Sequence, residues 1–413
     1  MNIIERAHEC VKRLSELAGR SSWDWRRCPR CGSDNTCRHG SYWRRVWSLE
    51  GRENRRVQRH LCHSCGRTYG EQSAEVAPRH RYGRDVQRLS LDQWCHQGGS
   101  LRRTAEFVRS LVGRQERYLL WRPWERDRGA GEECRLSAST IGRWLDQAGV
   151  RAQESLEGQL AGVEARAVGA DGLWTWLHGG GRRVVLMLVD CASGLVFPPT
   201  VAKGEGSEGA WARLFERARR AGLDLEGLRG VTSDWTGGLV SYLRRQLPVA
   251  WHQRCLWHFW RAPLGRLLGE LGQEALPTAL RLVRTLMSSS SYQAAEQALV
   301  ALAAFAPARQ LAQVINEEFD HLFVHLLDYY CGLSPVSPEW CWRDFRLRLS
   351  RGQNHGCDER LERAALVWAI YHDFTPRQQR SERKRTYRHA GKSPLEVAGL
   401  APGELSYLDA LAV

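Results

Sequence analysis

Long apolar runs are missing from this sequence, and lysine nearly so. No window approaches about 18 uninterrupted apolar residues, which excludes an ordinary membrane-spanning helix. The opening Met1-Asn2-Ile3-Ile4-Glu5-Arg6 carries an acid where a secretory signal carries only positive charge, so a soluble, cytoplasmic protein without a membrane partner is expected. Lysine supplies four of the 60 bases, Lys12, Lys203, Lys384 and Lys392, and the abundance of arginine, glycine and tryptophan is what a GC-rich genome writes. The charge is lopsided all the same, with 60 bases against 46 acids for a net +14, and residues 1–150 hold 29 bases and 18 acids. Such a bias suits a polyanion partner, because each base that neutralises a phosphate releases a condensed counterion. Hydrophobic residues at 43% and charged residues at 26% exclude wholesale disorder, and 413 residues exceed one hydrophobic core.

Thirteen cysteines without an export signal favour metal ligation over a disulfide framework. Cys28-Pro-Arg-Cys31 and Cys62-His-Ser-Cys65 are two C-x2-C knuckles, which together complete the tetrahedral sulfur shell of a structural Zn2+. Cys37, His39, His60 and His63 lie nearby but are not needed. Between the knuckles, Ser41 to Trp47 and Arg55 to Leu61 mix bulky and basic residues as two exposed strands do, so a zinc ribbon with a DNA-facing set of Arg44, Arg45, Arg55 and Arg56 is expected. A redox C-x-x-C pair is the competing reading, but no βαβ pattern surrounds either knuckle. Residues 1–78 thus read as an N-terminal helix followed by the ribbon.

Residues 79–152 read as a helix-turn-helix region. Val86 to Trp94 is broken by Gly98-Gly99-Ser100, Leu101 to Val108 follows, and a third helix begins near Ser137 or Ser139, with 112–134 as an inserted loop. Ser100 suits an N-cap, and Arg102, Arg103 and Arg143 are placed to meet phosphates or base edges.

From residue 166 the periodicity changes. Ala167 to Trp174, Val184 to Val189 and Leu195 to Phe197 read as strands, then Ala210 to Ala221 as a helix, Leu228 to Asp234 as a strand, Gly237 to Leu247 as a helix and Val249 to His252 as a fifth strand. A three-strand meander followed by alternating helix and strand is the order of a ribonuclease H-like mixed sheet. Asp171 and Asp234 stand where that fold keeps its carboxylates, on neighbouring strands, and can hold divalent cations about 3.5 to 4 Å apart. Asp190, in Asp190-Cys-Ala-Ser-Gly194, reads as a hairpin turn instead. Cys255 and His258, three apart at a helix start, read as supports of the site more than as half a zinc site.

The run Val231-Thr-Ser-Asp234-Trp-Thr-Gly-Gly-Leu239 and then Trp251-His-Gln-Arg-Cys255-Leu-Trp-His258 resembles the S-D-G-x-x-G-L and Q-R-C-x-x-H block of insertion-sequence transposases of the Mutator-like superfamily, with Asp171-Gly172 matching their first aspartate. Trp235 departs from the small residue usual after the second aspartate. The resemblance covers roughly residues 165 to 400 and implies a core at 163–262, an all-helical insertion at 263–345 and a last core helix at 346–375. It also implies a third acid. Glu359 keeps the Glu-Arg pair at a helix start and is preferred; Glu362, one turn on, is the alternative, Asp358 reads as an N-cap, and Gly356 stands where relatives carry asparagine, Asn354 lying two positions earlier. The tail 376–413 adds seven bases between Arg377 and Lys392 against the acid Glu382, suited to a DNA backbone. Trp340 and Trp342 read as core packing or as stacking surfaces for an unpaired base.

The expected protein is therefore a multidomain α/β DNA transposase, nucleoid-associated in a bacterial cytoplasm. The resemblance implies that Asp171, Asp234 and Glu359 hold two Mg2+ or Mn2+ ions, that terminal inverted repeats and target DNA are the partners, and that at least a homodimer joins two ends. A non-catalytic, domesticated DNA-binding relative and a ribonuclease H-fold nuclease without strand transfer are the alternatives.

Overall fold

The computed structural model describes residues 26–71, 76, 80–112, 134–155, 160–328, 341, 343–346, 348, 355–377, 389, 391–400, 402–403 and 405–411. The stretch expected to hold the N-terminal helix, most of the loop at 112–134, Trp340, Trp342, Asn354 and most of the basic tail lie outside them. The chain divides into two compact units: one holds residues 156–346 and 354–402, the other 11–155, 347–353 and 403–413.

In the second of these units, β1 (Thr36–Ser48) and β2 (Gly51–Cys62) form an antiparallel hairpin, edged by β3 (Thr68–Gly70). Little of it is buried: Val46, His60 and Cys62 are, while Trp43 is 70% exposed. Three helices follow, α1 (Arg84–Gln97), α2 (Leu101–Leu111) and α3 (Ala138–Ser155), packed on one another through Val86, Leu91, Trp94, Ala105, Val108, Ile141, Trp144 and Leu145. Ser100 caps α2 by accepting the Arg103 N–H at 3.3 Å, a contact that contributes about 1 kcal/mol.

The other unit is built on a five-stranded sheet in the order β6-β5-β4-β7-β8. β4 (Ala167–Leu177) and β5 (Gly181–Asp190) are antiparallel neighbours, β6 (Thr200–Ala202) extends the antiparallel side, and β7 (Gly230–Ser233) and β8 (Trp251–Arg254) add to β4 in parallel. The parallel strands need crossovers, supplied by α4 (Glu208–Ala221) and α5 (Gly237–Gln246). Side chains alternate across a strand, so Val168, Ala170, Val184, Leu186 and Leu188 share one face and pack on Trp211, Leu214, Phe215 and Leu239. Asp171, Leu173, Val185 and Met187 leave the sheet on the other face.

The third strand lies later than the sequence suggests. Leu195 to Phe197 is buried but touches β5 only through a bridge from Val196 to Val189, and the ladder resumes at Thr200. Pro198 and Pro199 explain the gap, since neither can donate to a ladder. Asp190 closes the preceding turn as expected, accepting the Ser193 N–H at 2.7 Å.

Beyond β8 the chain enters a helical segment with α6 (Leu276–Met287), α7 (Tyr292–Ala304) and α8 (Arg309–Glu317), which bury a hydrophobic cluster of their own around Leu264, Val283, Leu302, Ile315 and Phe323. The chain returns through α9 (Asp358–Phe374), which packs along β5 and β6; Asp373 Oδ1 accepts the Val196 N–H at 2.9 Å and Glu362 Oε2 the Val201 N–H at 2.9 Å. No single described helix is long and apolar enough to cross a membrane.

Candidate active site

β7 stops at Ser233, opposite Ala170 of β4, while β4 runs on to Leu177. The next residue on each strand is an aspartate, so the register brings Asp171 and Asp234 side by side where a parallel strand ends. Ligand crevices of open α/β sheets lie at such carboxyl ends. Asp171 is 7% exposed and its Oδ1 accepts the Gly172 N–H at 2.8 Å. Asp234 has a buried Oδ1 with no hydrogen-bond partner. Burial pushes the Asp234 carboxyl up, against the opposing pull of His258, of the Thr236 amide and its own, and of Arg254. Two sequestered carboxylates with an unmet acceptor fit a divalent cation.

Cys255 and His258 follow directly on β8. Cys255 is fully buried at the start of a helical turn and its N–H donates to the Ser233 carbonyl at 2.7 Å, fixing the strand end that carries Asp234. His258 lies within electrostatic reach of that carboxylate.

Trp235 is the one non-glycine among the described residues with positive φ, at 76°. A side chain in this left-handed region costs about 1–3 kcal/mol. The indole is held by His252, stacked at 4.2 Å, by His321 at 4.4 Å, and by the Arg254 guanidinium at 5.8 Å. The Trp235 backbone N–H donates to Ser233 Oγ at 3.1 Å, which in turn lies 2.8 Å from His252 Nε2. Burial, then His321, Arg244 and Arg254, pushes His252 down to about 3, so the imidazole that shares this hydrogen bond with Ser233 is neutral. Trp235→Ala should lose about 1–3 kcal/mol of stability by emptying this half-buried stack. Trp235→Gly, which also relieves the backbone, should come out about 1 kcal/mol more stable than the alanine variant, reversing the usual order, as urea titrations of the pair will show.

A third acid stands here that the sequence did not single out. Glu205 follows β6, and a Cβ on Gly172 would sit 2.3 Å from its Oε1 and 2.7 Å from Val184 Cγ2. Burial first and the charge of Asp234 second push Glu205 up to about 7, while a hydrogen bond from the Trp174 side chain and the charge of Arg182 pull the other way. The Trp211 indole N–H pins the Glu205 carbonyl at 2.8 Å. An acid in a Gly-rich loop gives no sequence sign of burial; the Gly-x-Gly around it and Trp211 six residues on are the only hints. Gly172→Ala should destabilise the unit by about 1–3 kcal/mol, because Val184 is core and cannot yield freely; an unchanged thermal midpoint would contradict the close approach.

Glu359 lies on the first turn of α9, exposed, its carboxyl held low by its own backbone N–H and by Cys357. Glu362 is engaged by Arg217 and by the Val201 amide, and Asp358 pairs with Arg183 at 2.7 Å rather than capping the helix, since Cys357 holds the N-cap position. Among the described residues the one group of three or more His, Cys, Asp or Glu with ligand atoms within 4.8 Å of one another is Cys28, Cys31, Cys62 and Cys65. Asp171, Asp234 and Glu359 do not form such a group, so the register alone relates the two aspartates and Glu359 is not gathered with them.

Those cysteines form the second centre, in the other unit. Each knuckle turns back on itself, Gly32 N–H to the Cys28 carbonyl and Gly66 N–H to the Cys62 carbonyl, both at 2.9 Å, with both glycines at a positive φ near 70° that other residues resist. Sulfurs face in pairs, Cys28 with Cys65 at 3.7 Å and Cys31 with Cys62 at 3.6 Å. The amides of Cys31 and Arg30 draw Cys28 down to about 6; Cys31, despite the Ser33 amide, is pushed up to about 11 by Cys62 and its neighbours. Four thiolates need a cation at this spacing, and the cluster can hold zinc.

The arginines of the ribbon divide by strand alternation. Arg45 and Arg56 share a face with exposed Trp43, whereas Arg44 and Arg55 take the other face, where Arg44 bonds the His80 carbonyl and Arg55 pairs with Glu53 at 2.8 Å. Arg102, Arg103 and Arg143 are exposed, and Arg102 lines a cleft of about 720 Å³ with Arg109, Arg135, Ser137 and Ser139 between α2 and the start of α3.

Residues 196–331, about a third of the chain, match the family model of the Mutator family transposases. The match holds Glu205, Asp234, Cys255 and His258 and bears out the resemblance carried by the last three; Asp171 and Glu359 lie outside it. No curated protein matches the chain.

Proposed function

We propose, from this Mutator-family segment, that the chain is a DNA transposase that binds the terminal inverted repeats of an insertion sequence, cleaves at the element end and joins that end to target DNA. The observation that carries the reading is that Asp171 and Asp234 follow the last paired residues of β4 and β7, Ala170 and Ser233, with a buried Asp234 oxygen left without a hydrogen-bond partner. The strand order, antiparallel on one side of β4 and parallel on the other, supports a ribonuclease H-like core.

Asp171 and Asp234 would hold Mg2+ or Mn2+, with Glu359 as the third acid, since Glu362 is already engaged by Arg217. Bound there, the cations would supply Lewis acidity for in-line displacement at a phosphodiester. The residues contribute position: the Cys255 N–H fixes the end of β7, Ser233 and His252 hold the Trp235 turn, and His258 favours the ionised form of Asp234. In the other unit, Zn2+ on the four cysteines would hold the ribbon. Arg45 and Arg56 with Trp43, and Arg102, Arg103 and Arg143 on a helix-turn-helix, would contact the repeat, with Arg44 and Arg55 behind them. Two ends must be joined together, so at least a homodimer acts on DNA.

Labelled repeat-bearing duplex incubated with the protein, Mg2+ and a plasmid tests this. Joined products are expected. Cut products alone would make it a nuclease, and a mobility shift alone a DNA-binding relative.

A further inference from the structure

Past Asp171, the β4–β5 hairpin outruns β7, and its free end carries an unusual surface. Trp174 and Trp176 lie two residues apart and so share a face; Trp176 is 72% exposed and Trp174 39%. Arg182, opposite Trp176 in the register, lays its guanidinium 4.3 Å from the Trp174 ring centroid. Gly204 brings the neighbouring loop alongside, since a Cβ there would sit 3.9 Å from Trp174, and Lys203 beside it is exposed. The same Trp174 side chain hydrogen-bonds Glu205, which abuts Gly172. One edge of this surface is therefore part of the candidate active site and the other is open to solvent.

Resting on the transposase reading, we infer that Trp174, Trp176 and Arg182 form a platform for an unpaired nucleotide flanking the scissile phosphate. Along the strand, Trp174 and Trp176 lie about 10 and about 17 Å from Asp171, one to three nucleotides of extended single strand, and on the opposite face of β4, which a strand reaches across the edge that β7 leaves uncovered past Ser233. Indole faces take any base, and the cations Arg182 and Lys203 suit the phosphates between bases. Trp174 is held by Arg182, Gly204 and Glu205, whereas Trp176 is open beside Arg182 and Lys203, and single-stranded DNA flanking the cut, with bases to stack and phosphates to pair, suits it.

The test uses the full chain, Ca2+ in place of Mg2+, and two probes: a blunt duplex, and the same duplex with a five-nucleotide single-stranded fork carrying 2-aminopurine. Wild type should bind the fork more tightly and quench the 2-aminopurine. Trp176→Ala should weaken fork binding about tenfold and restore the emission, leave the blunt duplex unchanged, and be rescued by Trp176→Phe. Equal binding of both probes by wild type, or equal losses on both in the variant, overturns the platform while leaving the transposase reading standing. A fork preference that depends on Trp176 in a protein that never cuts or joins DNA supports the platform and removes that reading. If Trp176→Ala changes only the sedimenting mass, the surface is a contact between copies and the platform is wrong.

Discussion

Asp234→Asn should abolish cleavage and joining, by roughly a thousandfold or more, because losing a carboxylate that anchors the transition-state charge typically removes about 4 kcal/mol or more. Asp171→Asn should do the same. Neither should unfold the protein. Burial raises the Asp234 carboxyl above its ordinary range, so in cation-free buffer folding costs more with the group ionised than with it protonated. Its contribution to stability is then fully present below the unfolded pKa and is lost as pH rises through the folded one. Asparagine resembles the protonated acid and does not titrate. The Asp234→Asn variant should therefore match wild type at acid pH and melt at a higher temperature near pH 8, and Mg2+ should raise the midpoint of wild type but not of the variant. A variant that keeps joining activity, or melts lower at every pH, would remove the metal-site assignment.

The second large effect is the loss of zinc. Cys62→Ser, or a strong chelator, should melt the ribbon at residues 26–71. The hairpin buries few side chains, most of β1 being exposed, and an isolated hairpin is marginal in water. The cation supplies what a core would, with apparent binding energies of about 10–16 kcal/mol in small structural zinc sites. One zinc per chain in the native protein, rapid proteolysis within 26–71 after chelation, and loss of the mobility shift on repeat DNA are the expected readings. The β4–β8 sheet, in the other unit, should keep its near-ultraviolet signal.

Much of this was legible in the sequence where chemistry is local. The knuckles were, because C-x2-C spacing followed by glycine fixes both ligands and turn. The core strands were, because Val184 to Val189 is an uninterrupted apolar run. What escaped depends on partners far along the chain. Glu362 looks like any exposed helical acid until Arg217 meets it across 145 residues. Glu205 looks like a solvated loop acid until Gly172 makes room for it. Trp235 stands out in the sequence as a departure from the small residue usual after the second aspartate, but only the φ of 76° and the rings around it show that the left-handed turn is kept and the large side chain held by stacking. Arg44, Arg45, Arg55 and Arg56 look like one set along the sequence, and strand alternation splits them between two faces.

The order in which these pieces leave the ribosome has its own consequence. β4 to β8 are synthesised together, but α9, which lies along β5 and β6, follows only after the whole helical segment with its separate core. Until then one face of a nascent sheet, with Val185, Met187 and Val189, waits uncovered for roughly a hundred residues of translation, a period in which chaperones, or pairing with a stray strand, decide how much active protein a cell obtains.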